Sequence, residues 1–203
     1  MRTPAIAVAT TPPTPLARLL MPGDLLFIRV PARPFLEVAA ATRSWTNHVG
    51  VVVETGRGEP LVAESTFPLA RFTPLSRFVG RSVNRDVVAA RMACAPRADQ
   101  AHRLRAAAAR RTGVLYDTGF NLHSRRQFCS RFVREVFDEA LDIELGVVQT
   151  FEQLYACNAD ADLRFWNAWF LGRIPWARET VTPASLLESP LVELIFDKRT
   201  LRG

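Results

Sequence analysis

The chain has 203 residues, 48% of them hydrophobic and 23% charged, and this size and apolar content predict one globular domain over 21–203 after a flexible N-terminal arm over 1–20. No stretch approaches the roughly 18 consecutive apolar residues that a membrane span requires, so the composition excludes an integral membrane protein. The net charge of +6 attracts anions in general, but it is diffuse and no nucleic-acid motif accompanies it, so we expect no nucleic-acid partner.

Four segments combine β-branched or apolar residues with flanking turn residues, which predicts strands over 25–30, 48–54, 60–65 and 86–92. The second strand ends at Thr55-Gly56-Arg57-Gly58. That turn sequence predicts that the second and third strands pair as a hairpin. Prolines and a glycine interrupt the chain between the third and fourth strands, where we expect loops and one short helix.

Three segments repeat apolar residues at helical spacing, which predicts helices over 35–45, 97–112 and 128–141. A loop over 116–127 leads into the third helix, whose first turn contains Cys129. The C-terminal part of the chain has an aromatic cluster that we expect to cap the core or to line a cleft. Its members are Phe165, Trp166, Trp169, Phe170 and Trp176.

The chain has three cysteines, Cys94, Cys129 and Cys157. Their irregular spacing suits neither a disulfide framework nor a zinc site, and the histidines do not supply ligand spacing either, so we expect no metal and no other cofactor. The N-terminus lacks the apolar core of a signal peptide. We therefore expect a cytoplasmic protein, with export by a leaderless secretion system as the alternative.

The position of Cys129 at a helix N-terminus suits a nucleophile. Backbone N–H groups and the helix dipole there favour negative charge, which stabilises the thiolate and lowers the pKa of the thiol. The same N–H groups can donate to the oxygen of a tetrahedral intermediate. The alternative for this residue is a small buried side chain on an amphipathic helix, which is what we expect for Cys94 and Cys157.

Two histidines are candidates for the base that activates Cys129. His48 begins a predicted strand, so its ring can project from the sheet towards a helix packed on it, whereas His123 lies in the loop just before the cysteine. Glu64, on the strand expected to pair with that of His48, could orient the imidazole through its second nitrogen. The alternative for Glu64 is an ordinary outward-facing strand residue.

Several short motifs accompany this order of histidine, glutamate and cysteine: Gly23-Asp24-Leu25-Leu26-Phe27, Asn47-His48-Val49-Gly50, Tyr116-Asp117, Phe128-Cys129-Ser130, Thr182-Pro183 and Ser189-Pro190-Leu191. Together they resemble the circularly permuted papain-like enzymes of the NlpC superfamily, in the YiiX/YebB-like branch, from about Pro22 to Leu194. In that family the histidine strand precedes the cysteine helix, as it does here. The resemblance implies an α+β, permuted papain-like fold with a small antiparallel sheet packed against the helix that carries the nucleophilic cysteine.

The resemblance also implies the roles of the site residues. Cys129 would attack a carbonyl, His48 would take and return the proton, and Glu64 would fix the histidine tautomer. Tyr116 would help the Cys129 backbone N–H to bind the oxyanion, or it is a packed structural tyrosine. Arginines at 125, 126 and 131 make the helix entrance more basic than the family leads us to expect, which leaves the substrate open.

The function implied by the family is hydrolysis of an amide through a thioacyl-enzyme, with a cell-wall peptide as the first substrate. A lipid-directed thioesterase, esterase or acyltransferase on the same thiol site is the alternative, in which the aromatic cluster holds an acyl chain and the arginines hold the headgroup. A non-catalytic ligand-binding module is the second alternative. We accordingly expect a small peptide or acyl-lipid substrate and transient contact with a membrane or cell wall.

Overall fold

The structure, a computed structural model, describes residues 14–56 and 58–202. Its strands are β1 (Leu25–Ile28), β2 (His48–Glu54), β3 (Leu61–Glu64), β4 (Arg71–Pro74), β5 (Val88–Met92), β6 (Gln149–Thr150), β7 (Glu179–Thr180) and β8 (Val192–Asp197). Its α-helices are α1 (Pro15–Leu19), α2 (Arg33–Ala41), α3 (Leu75–Gly80), α4 (Ala98–Arg110), α5 (Cys129–Leu141), α6 (Phe151–Ala156), α7 (Arg164–Trp169) and α8 (Pro183–Leu187). Short 3-10 turns lie at Val83–Arg85 and Lys198–Arg202.

The main sheet has the strand order β4-β3-β2-β1-β5-β8, and β6 pairs with β7 outside it. All neighbouring strands in the main sheet are antiparallel. The hairpin of β2 and β3 places Val51 opposite Ala63, so residues near the start of β2 and the end of β3 lie at the same end of the sheet. This architecture confirms the predicted α+β fold with an antiparallel sheet.

Both faces of the sheet are buried. Leu25 and Phe27 of β1 belong to the larger core cluster, which also includes residues of α4 and α5. Leu26 and Ile28 belong to a second cluster, which includes residues of α1 and α3. Successive side chains of a strand point to opposite faces. The continuous apolar runs in β1 and β2 therefore reflect helices packed on both sides.

The two outermost strands, β4 and β8, were not predicted from the sequence. β4 is short and ends in a proline, which an edge strand tolerates because one side of it needs no partner. β8 has no fully buried residue and pairs with β5. The predicted helix over 35–45 also differs, since α2 spans Arg33–Ala41 and begins with a proline in its first turn.

The sequence predicts a flexible arm over 1–20, of which residues 1–13 lie outside the described residues. Residues 15–19 form α1, and Thr14 caps this helix by accepting a hydrogen bond from the Ala17 N–H. Leu16 and Leu20 are buried in the second core cluster. Residues 14–20, which the sequence assigned to the arm, therefore pack as part of the described fold.

Candidate active site

Cys129 is the first residue of α5, and Phe128 precedes it with an extended backbone. The helix has buried residues at three- and four-residue spacing, which holds it against the sheet. The hydroxyl of Ser130 donates to the Val181 carbonyl over 2.7 Å and ties this first turn to the C-terminal part of the chain. A helix leaves its first N–H groups without helical partners, so the Cys129 N–H points into the site, where it interacts with the Tyr116 hydroxyl.

His48 is the first residue of β2 and is completely buried. Its ring packs between Phe35 and Phe78, with ring centroids 6.1 and 5.7 Å away. Phe78 can approach because residue 50 is glycine: a Cβ atom there would lie 2.9 Å from the Phe78 ring and 2.6 Å from Val62. The motif Asn47-His48-Val49-Gly50 therefore fixes the imidazole by close packing.

Glu64 ends β3, is fully buried, and accepts a hydrogen bond between its Oε2 and His48 Nε2 at 2.7 Å. Three more groups surround the carboxylate. Thr73 donates its hydroxyl to Oε1 over 2.6 Å, the Arg81 guanidinium donates to Oε2, and the Nε of Arg71 is 3.9 Å from Oε1. Glu64 is therefore not an outward-facing strand residue, and its buried charge is compensated on both oxygens.

The pKa values of His48 and Cys129 move in opposite directions. Burial opposes the charged imidazole, but the charge of Cys129 and hydrogen bonds to Cys129 and Glu64 outweigh burial and raise the pKa of His48 to about 9. Burial likewise opposes the thiolate. The charge of His48, its hydrogen bond and donors from Val49 and Tyr116 nevertheless lower the pKa of Cys129. This combination favours a thiolate–imidazolium pair at neutral pH.

The Nδ1 atom of His48 is buried and, apart from its interaction with Cys129, has no hydrogen-bond partner in the described part of the chain. Since Glu64 occupies Nε2, the ring's interaction with Cys129 is left to Nδ1. Burial raises the pKa of Glu64, but the hydrogen bond and charge of His48, followed by the charge of Arg81, lower it to about 2. Glu64 thus stays ionised and holds the proton of the imidazole on Nε2.

Tyr116 is the first residue of the loop over 116–127 and forms an isolated bridge with Gln127, the last one. Its hydroxyl is buried and has no hydrogen-bond partner among the described groups apart from its interaction with Cys129. Burial, then the charge of Cys129, raises the pKa of Tyr116 well above its usual value. The hydroxyl is consequently a neutral donor beside the sulfur and the Cys129 backbone N–H.

The loop over 116–127 is held by hydrogen bonds that place Tyr116. Asp117 accepts from the backbone N–H groups of Gly119 and Asn121. Arg131 donates to the Ser124 carbonyl over 2.6 Å and pairs with Glu135 on the next turn of α5. The charge of Arg131 is thus paired within the fold. Of the three arginines that make the start of α5 basic in the sequence, only Arg125 and Arg126 are exposed.

An apolar cavity of about 90 Å³ opens beside the sulfur of Cys129. Nearly all of its surface comes from apolar atoms. Part of the aromatic cluster lines it, so the expectation that the cluster lines a cleft agrees with the structure for these residues. The lining includes Val38, Tyr116, Phe120, Phe151, Leu154, Ala161, Leu163, Trp166, Phe170, Ile174 and Trp176.

The other candidates from the sequence lie elsewhere. His123 is exposed, and its Nε2 is 2.7 Å from Glu179, so it is engaged away from Cys129. Cys94 and Cys157 are free and exposed, whereas we expected buried side chains. Sequence reasoning missed Arg81 and Thr73, because their contact with Glu64 depends on how α3 and β4 pack and no local motif marks it.

Arg81 provides a direct test of the Glu64 environment. In Arg81→Met we expect the free energy of unfolding to fall by about 1.5–3 kcal/mol, because Glu64 loses a charged hydrogen-bond donor. We also expect the pKa of His48 to rise, since a neighbouring positive charge is removed. Chemical denaturation and NMR titration of the histidine ring measure the two effects. Arg71→Met is the matched control and should change both less; equal effects would contradict the assigned geometry.

A thiol at a helix N-terminus that faces a histidine on an antiparallel sheet is the arrangement of papain-like enzymes, and here the histidine strand comes first. Residues 19–196 match the family described as "permuted papain-like amidase enzyme, YaeF/YiiX, C92 family". The chain belongs to this family, which confirms the predicted relationship. Two similar proteins agree with the assignment.

The uncharacterized protein YiiX of Escherichia coli K12 is 24% identical over 168 residues, which are 83% of this chain and 82% of YiiX. A crystal structure described as metalloprotein yiiX from Escherichia coli O157:H7 has a TM-score of 0.82 and 23% identity, and the match covers 89% of this chain and 98% of that one. This likeness shows a shared fold.

Among residues 14–56 and 58–202, no group of three or more His, Cys, Asp and Glu side chains is placed to hold a metal ion. In the same part of the chain, no helix is long and apolar enough to cross a lipid bilayer.

Proposed function

We propose that this chain hydrolyses an amide bond through a thioacyl intermediate on Cys129. The observation that supports this most is the completely buried His48, whose Nε2 is held by Glu64 while its Nδ1 has no partner besides the thiol among the described residues. A nucleophile, a base and a group that orients the base are the components of thiol catalysis. A ligand-binding module would have no need of this combination.

The proposed reaction has two stages. The Cys129 thiolate attacks the carbonyl carbon, and the C–N bond breaks as the His48 imidazolium gives its Nδ1 proton to the departing amine. His48 then takes a proton from water, which attacks the thioester carbon. The carboxylic acid leaves and the thiolate is restored, so one water is consumed for each amide cleaved.

Two donors are available for the oxygen of the tetrahedral intermediate. One is the Cys129 backbone N–H at the start of α5, and the other is the buried hydroxyl of Tyr116. Both are fixed before substrate arrives, because the helix and the hydrogen-bonded loop hold them. Such preorganised donors are usually a large part of the rate enhancement in acyl transfer.

The cavity beside Cys129 indicates which part of the substrate is recognised. Its volume of about 90 Å³ is far below the roughly 300–1,000 Å³ of a pocket that encloses a whole drug-sized ligand. It therefore suits one apolar portion of a substrate, which we assign to the acyl side of the amide. A polar cell-wall peptide, the first substrate expected from the sequence, finds few polar partners in this lining.

The same apolar lining favours a second candidate, hydrolysis or transfer of the acyl group of a lipid ester or thioester. Its chemistry at Cys129 is identical until the leaving group departs, since an alcohol or thiol replaces the amine. The two candidates differ in the bond that is cleaved fastest. Comparing the same acyl group as an anilide, an oxygen ester and a thioester separates them.

The test of acyl recognition uses hexanoyl and succinyl anilides, which are similar in length and opposite in polarity. We expect kcat/KM to be at least about tenfold higher for the hexanoyl compound. Ala161→Trp, which fills the cavity, should remove this preference, whereas Ala109→Trp on the exposed side of α4 should keep it. Equal turnover of both anilides by the wild type would contradict the assignment of the cavity.

A further inference from the structure

The segment over 164–178 has an outer surface that is unusually apolar. Leu171 is 89% exposed, and Trp169 and Trp176 are each 38% exposed. Leu171 also has a left-handed backbone, with φ of 53°, a conformation that a leucine rarely adopts. A large apolar side chain is thus presented to the outside at the tip of a turn.

This exposure belongs to an ordered surface. Trp169 donates its indole N–H to the Thr118 carbonyl over 3.0 Å, and Arg178 donates to the Gly119 carbonyl over 2.9 Å. Trp166 stacks on Phe170 with centroids 6.1 Å apart. These hydrogen bonds connect residues 164–178 to the loop over 116–127, which contains Tyr116.

The inner side of the same segment lines the active-site cavity through Trp166, Phe170 and Ile174. Leu171 is absent from that lining and faces outward. The segment thus separates the cavity beside Cys129 from the exterior. A surface bound to the outer side of the segment is therefore separated from the proposed acyl site by the segment itself.

The charge of the segment is positive, with three arginines against one aspartate between residues 162 and 178. Arg164 pairs with Asp162. Arg173 is exposed, and no ion pair to it occurs among the described residues. Exposed tryptophan and leucine beside arginine are the side chains that bind the interface of a bilayer with anionic headgroups.

We propose that residues 164–178 dock on the surface of an anionic lipid bilayer. Leu171 and Trp169 enter the headgroup region, and Arg173 pairs with lipid phosphate. The proposal extends the proposed function, because docking brings the cavity beside Cys129 to the source of an apolar acyl group. The sequence led us to expect transient contact with a membrane, and the docking proposal specifies the residues that would make it.

The experiment measures co-sedimentation of the protein with vesicles of phosphatidylcholine alone or with about one third phosphatidylglycerol. We expect binding to the anionic vesicles and at least about tenfold weaker binding to the neutral ones. Leu171→Asn and Arg173→Glu should each weaken binding about tenfold; asparagine tolerates the left-handed backbone. The matched controls are Leu194→Asn and Arg77→Glu, which change other exposed residues and should bind as the wild type does.

Absence of binding to anionic vesicles, or equal losses in the matched controls, would overturn the proposal. The result is independent of catalysis. Leu171→Asn should still hydrolyse a short anilide in solution, because this side chain is outside the cavity lining. If the protein does not bind vesicles but cleaves the anilide, the docking proposal is wrong and the proposed hydrolase activity is retained. If the protein binds vesicles but Cys129 is inert, the docking proposal is retained and the proposed hydrolase activity is wrong.

Discussion

Cys129→Ala is expected to lower kcat/KM by about 10⁴-fold or more while the protein remains folded. The loss follows because the thioacyl intermediate cannot form without the thiol. Alanine leaves only a small void at a residue that is 3% exposed, so unfolding should change little. Activity measured with the hexanoyl anilide, together with circular dichroism, checks both statements.

Cys157→Ala is the matched control for this substitution. Cys157 is free and exposed, in contrast to the buried Cys129. It should keep the activity of the wild type. If Cys129→Ala retained turnover, or if Cys157→Ala lost it, the nucleophile would be wrongly assigned.

His48→Gln is expected to reduce kcat/KM by a similar factor, because glutamine can fill part of the space but cannot move a proton. For the wild type, turnover should fall as the pH rises through about 9, the pKa of His48, since the departing amine then loses its proton donor. On the acid side, turnover should fall as Cys129 becomes protonated. This decline should occur at a pH below the usual range for a thiol, because the pKa of Cys129 is lowered.

The matched control for this prediction is His123→Gln. His123 is exposed and pairs with Glu179, so its loss should leave both the rate and the pH profile unchanged. A wild-type profile without a decline near pH 9, or a normal rate in His48→Gln, would show that His48 is not the base.

Strong periodicity explains why much of the site framework was predictable from the sequence. The apolar residues of α5 recur at helical spacing, and the predicted helix over 128–141 differs from the observed one by a single residue. The β2 strand was predicted with its observed bounds because a β-branched run is flanked by a turn. These two elements alone bring Cys129 and His48 to facing positions.

The surroundings of Glu64 were not predictable, because they arise from packing between distant residues. Arg81 and Thr73 approach the carboxylate from α3 and β4, which follow it in the chain after a loop. An arginine at the end of a short helix has no local signature of such a role. The sequence likewise indicated an aromatic cluster, but it did not indicate which of its members face the cavity. Nor did it indicate that Leu171, next to the cluster, faces outward.

The pairing of Cys129 with His48 is tested most directly by alkylation with iodoacetamide across pH, in which the modified protein is detected by mass and the modified cysteines are mapped to peptides. In the wild type, Cys129 should react well below the pH expected for an ordinary thiol of pKa about 8.5. The free, exposed Cys94 and Cys157 serve as internal references for the rate of alkylation. In His48→Gln this advantage should disappear, because the charge and hydrogen bond of His48 no longer offset the effect of burial on the pKa of the thiol. If Cys129 reacts no faster than the references in the wild type, or keeps its advantage without His48, the thiolate–imidazolium pair does not exist and the hydrolase assignment is contradicted.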